Sequence, residues 1–393
     1  MMLKRQLARC FLALLAGCVI TCPALAQTKT ERIHALMAHY HALGRLHGAV
    51  LVAQDGKVVY EGGFGQADAT WGIANAADVR YHVASVTKVL TAVLVLQQVE
   101  RGTLRLDAPV AGYLPDFPVP IDARITVDHL LSNRSGLVDY VNDLDGDEYM
   151  ARYEHRRVPA ETLVAEMLQR PLEFAPGERF DYSNTGYVLL EVLLESVTGR
   201  PYCDLLREEV FAPAGMAASG CVSYEPVVAR MATAYKRENG QLAHAPFFHA
   251  LHADGVAYST VRDLFRFDEA LRAGRLLSPA MQAVMATPRI GDDRIGNFFG
   301  PGLEHFYGYG LEIHQRPGAS PADRVTVVGH SGYYLGWSAR LWRVPEDGIA
   351  IIVLNNQTLP TFYIELFDIL YERPYRLPTE DELDAREGKK KEE

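Results

Sequence analysis

Strand-forming runs lie at both ends of this chain and helical periodicity fills its middle, which leaves few ways to fold it. Residues 48–54 and 57–63 read as strands around Asp55-Gly56, a strong hairpin signal. The last third returns to strand patterning at 308–314, 325–330, 336–343 and 349–355. One sheet assembled from the two termini accounts for this, with a mostly helical lobe over roughly 106–277 lying on it. An amphipathic helix at 31–44 leads into the fold and another at 361–372 closes it. No internal repeat or low-complexity linker divides the chain. The pattern predicts one two-lobed α+β unit spanning 27–377, then a highly charged tail at 378–393 that is expected to fray.

The chain has 393 residues, 48% apolar and 22% charged, enough for a large core. Its net charge is -10, and the only long basic run is in the tail, which argues against nucleic-acid binding. Residues 1–26 read as an export leader. Lys4, Arg5 and Arg9 precede a short apolar stretch, and Ala24-Leu25-Ala26 offers a small-residue cleavage site before Gln27. Cleavage there gives a periplasmic or secreted protein with a charge of -13. Leu15-Ala16-Gly17-Cys18 also fits a lipoprotein box, which would acylate Cys18 and anchor the protein to a membrane. Without that lipid, no membrane partner is expected. Beyond the leader only Cys203 and Cys221 remain, and in an oxidising compartment they can pair or stay as two small buried side chains.

Three short motifs carry the chemistry. Ser85-Val86-Thr87-Lys88 opens a long apolar segment that ends near Arg101-Gly102, with glycine in the usual place after a helix. Three residues apart on a helix, Ser85 and Lys88 share a face, so the lysine can take the serine proton. Alone, this pattern is equally a capping serine beside a solvated lysine. Tyr182-Ser183-Asn184 precedes the helical run 188–197. A tyrosine oxygen near a lysine ammonium can be stabilised as phenolate and act as a base, and the Asn184 amide can bind a substrate amide or Lys88. Alone, it is a turn in which Asn184 caps the next helix. His330-Ser331-Gly332 lies at the end of a strand-like run, where a substrate can lie along the sheet edge. The N–H of Tyr333 could join that of Ser85 in binding an oxyanion.

Read together and in this order, the motifs resemble those of the serine β-lactamase and penicillin-binding superfamily, and most of all its class C-like branch of D-alanyl-D-alanine carboxypeptidases, D-aminopeptidases and esterases. The similarity extends to HVASVTKVLTAVLVLQQVERGTLRLDAPVAGY from His82 to Tyr113, ITVDHLLSNRSGLVDY from Ile125 to Tyr140, FAPAGM from Phe211 to Met216 and ADGVAYSTVRDLFRF from Ala253 to Phe267. The resemblance implies an antiparallel sheet flanked by helices, with Ser85 between it and the helical lobe. It implies a Ser85 acyl-enzyme, with Lys88 and Tyr182 sharing the proton work. Asn184, His330, Ser331, Gly332 and Tyr333 would place a small ester, peptide or β-lactam. No metal or organic cofactor is implied. A receptor that stays acylated is the other reading. His330 stands where typical β-lactamases carry lysine, and a histidine that charges only at low pH favours an esterase or peptidase over an efficient β-lactamase. Asn133 stands where many relatives have histidine, a change that no pattern in the chain explains.

Two further signals are weaker. Ser135 lacks the Gly-x-Ser-x-Gly frame of a nucleophile elbow. His244, His249, His252 and Asp254 are too loosely spaced for a metallo-hydrolase motif. With Phe247 and Phe248 they are better read as cleft wall, opposite Tyr333, Tyr334 and Trp337.

Overall fold

The computed structural model describes residues 27–386 except 145–147, 149–151, 154–157, 223–225, 239–240, 246–251, 296–297, 300–301, 317–325 and 358–360. The leader, Cys18, Phe247, Phe248, His249 and the end of the tail lie outside the described residues.

Helix α1 (Lys29–Ala42) opens on a capping box, in which Thr28 and Glu31 each accept from the other's backbone. It leads into the hairpin β1 (Gly48–Gln54) and β2 (Lys57–Phe64). The short strand β3 (Tyr81–His82) precedes the buried helix α2 (Thr87–Glu100). The helical lobe includes α3 (Ala160–Leu168) and α4 (Asn184–Thr198). Strands β4 (Gly220–Cys221) and β5 (Ala257–Ser259) follow, then α5 (Val261–Arg272). The chain returns to the main sheet through β6 (Ile290–Gly291), β7 (Glu304–Tyr307), β8 (Glu312–Gln315), β9 (Thr326–Tyr334), β10 (Trp337–Val344) and β11 (Ile349–Asn355). Helices α6 (Tyr363–Leu370) and α7 (Glu380–Arg386) complete the fold.

The main sheet is antiparallel, in the order β6-β7-β8-β9-β10-β11-β1-β2. The two ends of the chain therefore meet where β1 pairs with β11. Both strands are covered on both faces, so their period-2 alternation divides two apolar layers. Val50, Val52, Ile351 and Val353 pack with α1 and α6, whereas Ala49, Leu51, Ile352 and Leu354 face the core shared with α2. A smaller sheet, β3-β5-β4, joins the nucleophile segment to the helical lobe. The Cys203–Cys221 disulfide forms, linking positions 18 apart in sequence against this sheet.

Three sequence expectations change. The run 308–314 is strand only from Glu312: residues 308–311 turn between β7 and β8, because Gly310 has φ +64° where a Cβ would meet the Lys88 carbonyl at 2.6 Å. The third motif does not end a strand: β9 continues through it to Tyr334, held by β10. The start of the charged tail is not frayed. Residues 380–386 form a helix that buries Leu383, and ion pairs Arg45–Asp384 (2.6 Å) and Arg386–Glu365 (2.8 Å) hold it against the body.

Candidate active site

The chain passes from β3 to Ser85 through a 3-10 turn, Ala84–Val86, and α2 begins at Thr87. Ala84 has φ +47°, a left-handed conformation that costs a residue with a Cβ on the order of 1–3 kcal/mol. Neighbouring bonds impose it: Val83 N donates to Ala257 O at 3.0 Å, and Val86 N to Val83 O at 3.2 Å. The bend sets Ser85 at the N-terminal end of α2, where unpaired N–H groups and the helix dipole favour negative charge.

One turn on, Lys88 is fully buried. Its Nζ donates to Ser85 Oγ at 3.3 Å, Asn184 Oδ1 at 2.7 Å and the Asp254 carbonyl at 2.8 Å. Burial lowers its pKa to about 8, against the opposing charges of Asp254 and Asp139. Tyr182 shares a side-chain hydrogen bond with Ser85, and the ammonium lies over its ring, 4.8 Å from the centroid. Burial raises the Tyr182 phenol well above its ordinary value, outweighing the Ser85 bond that lowers it. The group is therefore a neutral phenol and not the phenolate that the sequence allowed.

Asn184 is free to hold Lys88 because it does not cap α4. Ser183 does, its side chain accepting from Gly186 N at 3.2 Å. Asn184 Nδ2 donates to Asp139 Oδ2 at 2.9 Å, which orients the amide with its oxygen toward Lys88. Asp139 is buried, and burial raises its pKa to about 7. Asn133, unexplained by sequence, adopts φ +54°, which asparagine tolerates better than most residues. Its side-chain oxygen accepts from Ser183 N at 3.2 Å and its carbonyl from Asp181 N at 2.9 Å, fixing the backbone on either side of Tyr182.

The sheet wall differs from the sequence expectation in charge. His330 is buried; its Nε2 is 2.9 Å from the Tyr307 hydroxyl and its Nδ1 contacts the Ser331 carbonyl. Burial, with Lys88 and Arg340 adding repulsion, lowers its pKa to about 3. A histidine that charges in the ordinary acidic range is thus replaced by a neutral one. Gly332 lets β9 approach the nucleophile turn, since a Cβ there would lie 2.4 Å from the Val83 carbonyl and 3.2 Å from Ser85 N. Tyr333, 60% exposed, projects at the rim.

These groups enclose a cavity of about 520 Å³. Ser85, Tyr182, Asn184, His330, Ser331 and Tyr333 line it, so the structure brings the three motifs together. Sequence reasoning missed His82, Tyr140, Tyr307 and Glu312 on its walls. His82 is buried with its pKa lowered to about 4, edge-on to Tyr334. Glu312 Oε1 accepts from Ser331 N at 2.9 Å and Ser331 Oγ at 2.6 Å, and burial raises its pKa to about 7. His82, Asp139 and Tyr140 had a signal in sequence, inside segments that resemble the family, whereas Tyr307 and Glu312 had none. Among the described residues no cluster of three His, Cys, Asp or Glu could hold a metal. His252 instead turns to Glu191 and the Val158 carbonyl. Of the described residues in the cleft-wall reading, Asp254, Tyr333 and Tyr334 line the cavity, whereas His244, His252 and Trp337 do not.

A neutral Tyr182, a partly deprotonatable Lys88 and a serine at a helix N-terminus are the kinds of group that serine acyl transfer requires. Residues 31–368 match the sequence profile of the family described as Beta-lactamase. The chain belongs to the beta-lactamase family of serine hydrolases. Within that family it is 27% identical over 379 residues to penicillin-binding protein 4* of Bacillus subtilis (strain 168), covering 90% of this chain and 79% of the relative. It is 28% identical to the D-aminopeptidase of Brucella ovis over 82% of this chain, and spans 58% of that longer protein. The D-amino acid amidase of Ochrobactrum anthropi SV3, solved with L-phenylalanine amide, superposes with a TM-score of 0.71 at 26% identity, covering 88% of this chain and 97% of the amidase. The superposition shows that the amidase shares this fold.

Proposed function

We propose that this hydrolase forms an acyl-enzyme at Ser85 from esters or amides of D-amino acids and short D-peptides whose recognised end is neutral or cationic. Neutral Lys88 takes the Ser85 proton as Oγ attacks the carbonyl. The N–H groups of Ser85 and Tyr333 receive the oxyanion. Tyr182 donates a proton to the leaving amine or alkoxide as the C–N or C–O bond breaks, and Lys88 restores it. Water then enters by the reverse relay and releases the acid. Asn184 holds Lys88 and offers its amide to the substrate.

The observation that carries the substrate class is the lack of a free cation on the cavity wall among the described residues. His330 is neutral. Arg294 is engaged by Asp292 at 2.8 Å and Asp181 at 3.0 Å. Asp143 also lines the cavity, and Glu312, raised to about 7, adds negative charge above that pH. A substrate carboxylate therefore meets no partner, whereas an ammonium or a neutral ester is accommodated. The similarity to a D-aminopeptidase and a D-amino acid amidase supports this reading. Export through residues 1–26 belongs to the same proposal, and the Cys203–Cys221 bond is in keeping with an oxidising compartment.

The test is a substrate panel on the exported protein, whose first residue should be Gln27. D-phenylalanine amide, a p-nitrophenyl ester and a fluorescent penicillin are each compared between wild type and S85A. Sustained turnover of the amide or ester, lost in S85A, is expected. A penicillin burst without turnover of any substrate would instead establish the acylated-receptor reading, which the similarity to penicillin-binding proteins favours.

A further inference from the structure

Strand β8 stops pairing with β9 at Glu312↔Gly329, and from His330 to Tyr334 β9 is paired only with β10. The opposite edge of β9 is therefore open beside the cavity. Alternate residues of a strand direct their N–H groups to the same edge. The first on this edge, Ser331 N–H, is taken by Glu312 Oε1. The next is that of Tyr333, the candidate second oxyanion donor. The peptide that carries it has a buried cation on its other end. Arg340, on β10 and 4% exposed, donates from Nη1 to the Gly332 carbonyl at 3.1 Å and to the Ala339 carbonyl at 2.8 Å. No ion pair joins Arg340 to a described carboxylate, and its guanidinium lies over the Phe298 ring at 4.9 Å.

We propose that Arg340 is a positioning residue for the oxyanion site, orienting and polarising the Gly332–Tyr333 peptide. A trans peptide is planar, so fixing the Gly332 C=O toward β10 fixes the Tyr333 N–H in the opposite direction, toward the cavity. A cation on the carbonyl oxygen draws density from the amide nitrogen and strengthens its N–H as a donor. Arginine suits this place because its charge persists when buried. Glu312 completes the arrangement by occupying the neighbouring donor, which leaves Tyr333 N–H as the one offered to substrate. Arg340 touches no reacting atom.

The proposal rests on the Ser85 acyl-enzyme, so its test separates the two. Wild type, R340M, R340K and S85A are assayed with a p-nitrophenyl ester and its thiono counterpart, whose sulfur is a poor hydrogen-bond acceptor. R340M is expected to lower kcat for the oxo ester about 10- to 100-fold with KM within about threefold, because one oxyanion donor is weakened rather than removed. The preference for oxo over thiono ester should shrink about tenfold in R340M and largely persist in R340K, which keeps a cation. An unchanged preference in a folded R340M, even with a lower kcat, would overturn the role of Arg340 while leaving Ser85 intact. Should R340M not fold, R340Q is read in its place with the same expectation. Full turnover in S85A would overturn the acyl-enzyme and this proposal together.

Discussion

The helical wall of the cavity concentrates ionisable groups, with Lys88, Asp139 and Asp254 buried around Asn184, whereas the sheet wall sets Glu312, raised to about 7 and bonded to Ser331, beside the neutral pair His330 and Tyr307. Both walls are buried, yet burial acts differently on them. On the helical side it lowers Lys88 to about 8 and raises Asp139 to about 7, bringing both near working pH. On the sheet side it lowers His330 to about 3 and so removes charge from the position proposed to recognise substrate. One wall is thereby suited to moving protons and the other to selecting against carboxylates.

The largest expected effect that would break this contrast is at Lys88. K88M should lower kcat/KM for the ester about 10²- to 10⁴-fold, the usual range for losing a general base. In wild type, the deprotonated amine is the active form, so kcat/KM should rise with pH and level off above about 8. Because Lys88, Asp139 and Asp254 interact, the midpoint belongs to the cluster. A flat profile from pH 6 to 9, or a K88M protein of near wild-type activity, would remove the helical wall from the proton work.

A smaller effect sharpens the sheet wall. If His330 were charged at mildly acidic pH, an anionic ester would gain on its neutral analogue as pH falls through 6. Glu312, raised to about 7 on the same wall, also titrates in this range, so the test is made in E312Q: a His330 ring that stays neutral down to about 3 predicts that there the ratio of kcat/KM for the anionic and neutral esters changes less than about twofold between pH 5 and 8. A ratio that climbs severalfold on acidification would return the positive charge to His330.

The sheet was legible because β1 and β11 carry long apolar runs whose alternation needs no tertiary information. The break at Gly310 was not, since its cause is the approach of the Lys88 backbone from another element. The end of the chain misled for a related reason. Its charges look solvated, but Asp384 and Arg386 find partners far away in sequence, and a single leucine, Leu383, supplies the apolar anchor. In the site, Ser85 and Lys88 were legible because three residues along a helix fixes their relation. Glu312 and Arg340 left no trace because their contacts with Ser331 and Gly332 follow from strand register. The charge state of His330 was also hidden, since burial belongs to the folded protein and not to the residue. Asn133 became intelligible only when its partner, the backbone of Ser183, was seen.

The central claim is that Ser85 carries the acyl group. The most direct measurement is to quench the p-nitrophenyl ester reaction with acid in its first turnovers, digest the protein and locate the adduct by mass spectrometry. One acyl group on the peptide containing Ser85, absent from S85A, is the predicted result. An adduct on another residue, or turnover at the wild-type rate in S85A, would contradict the account.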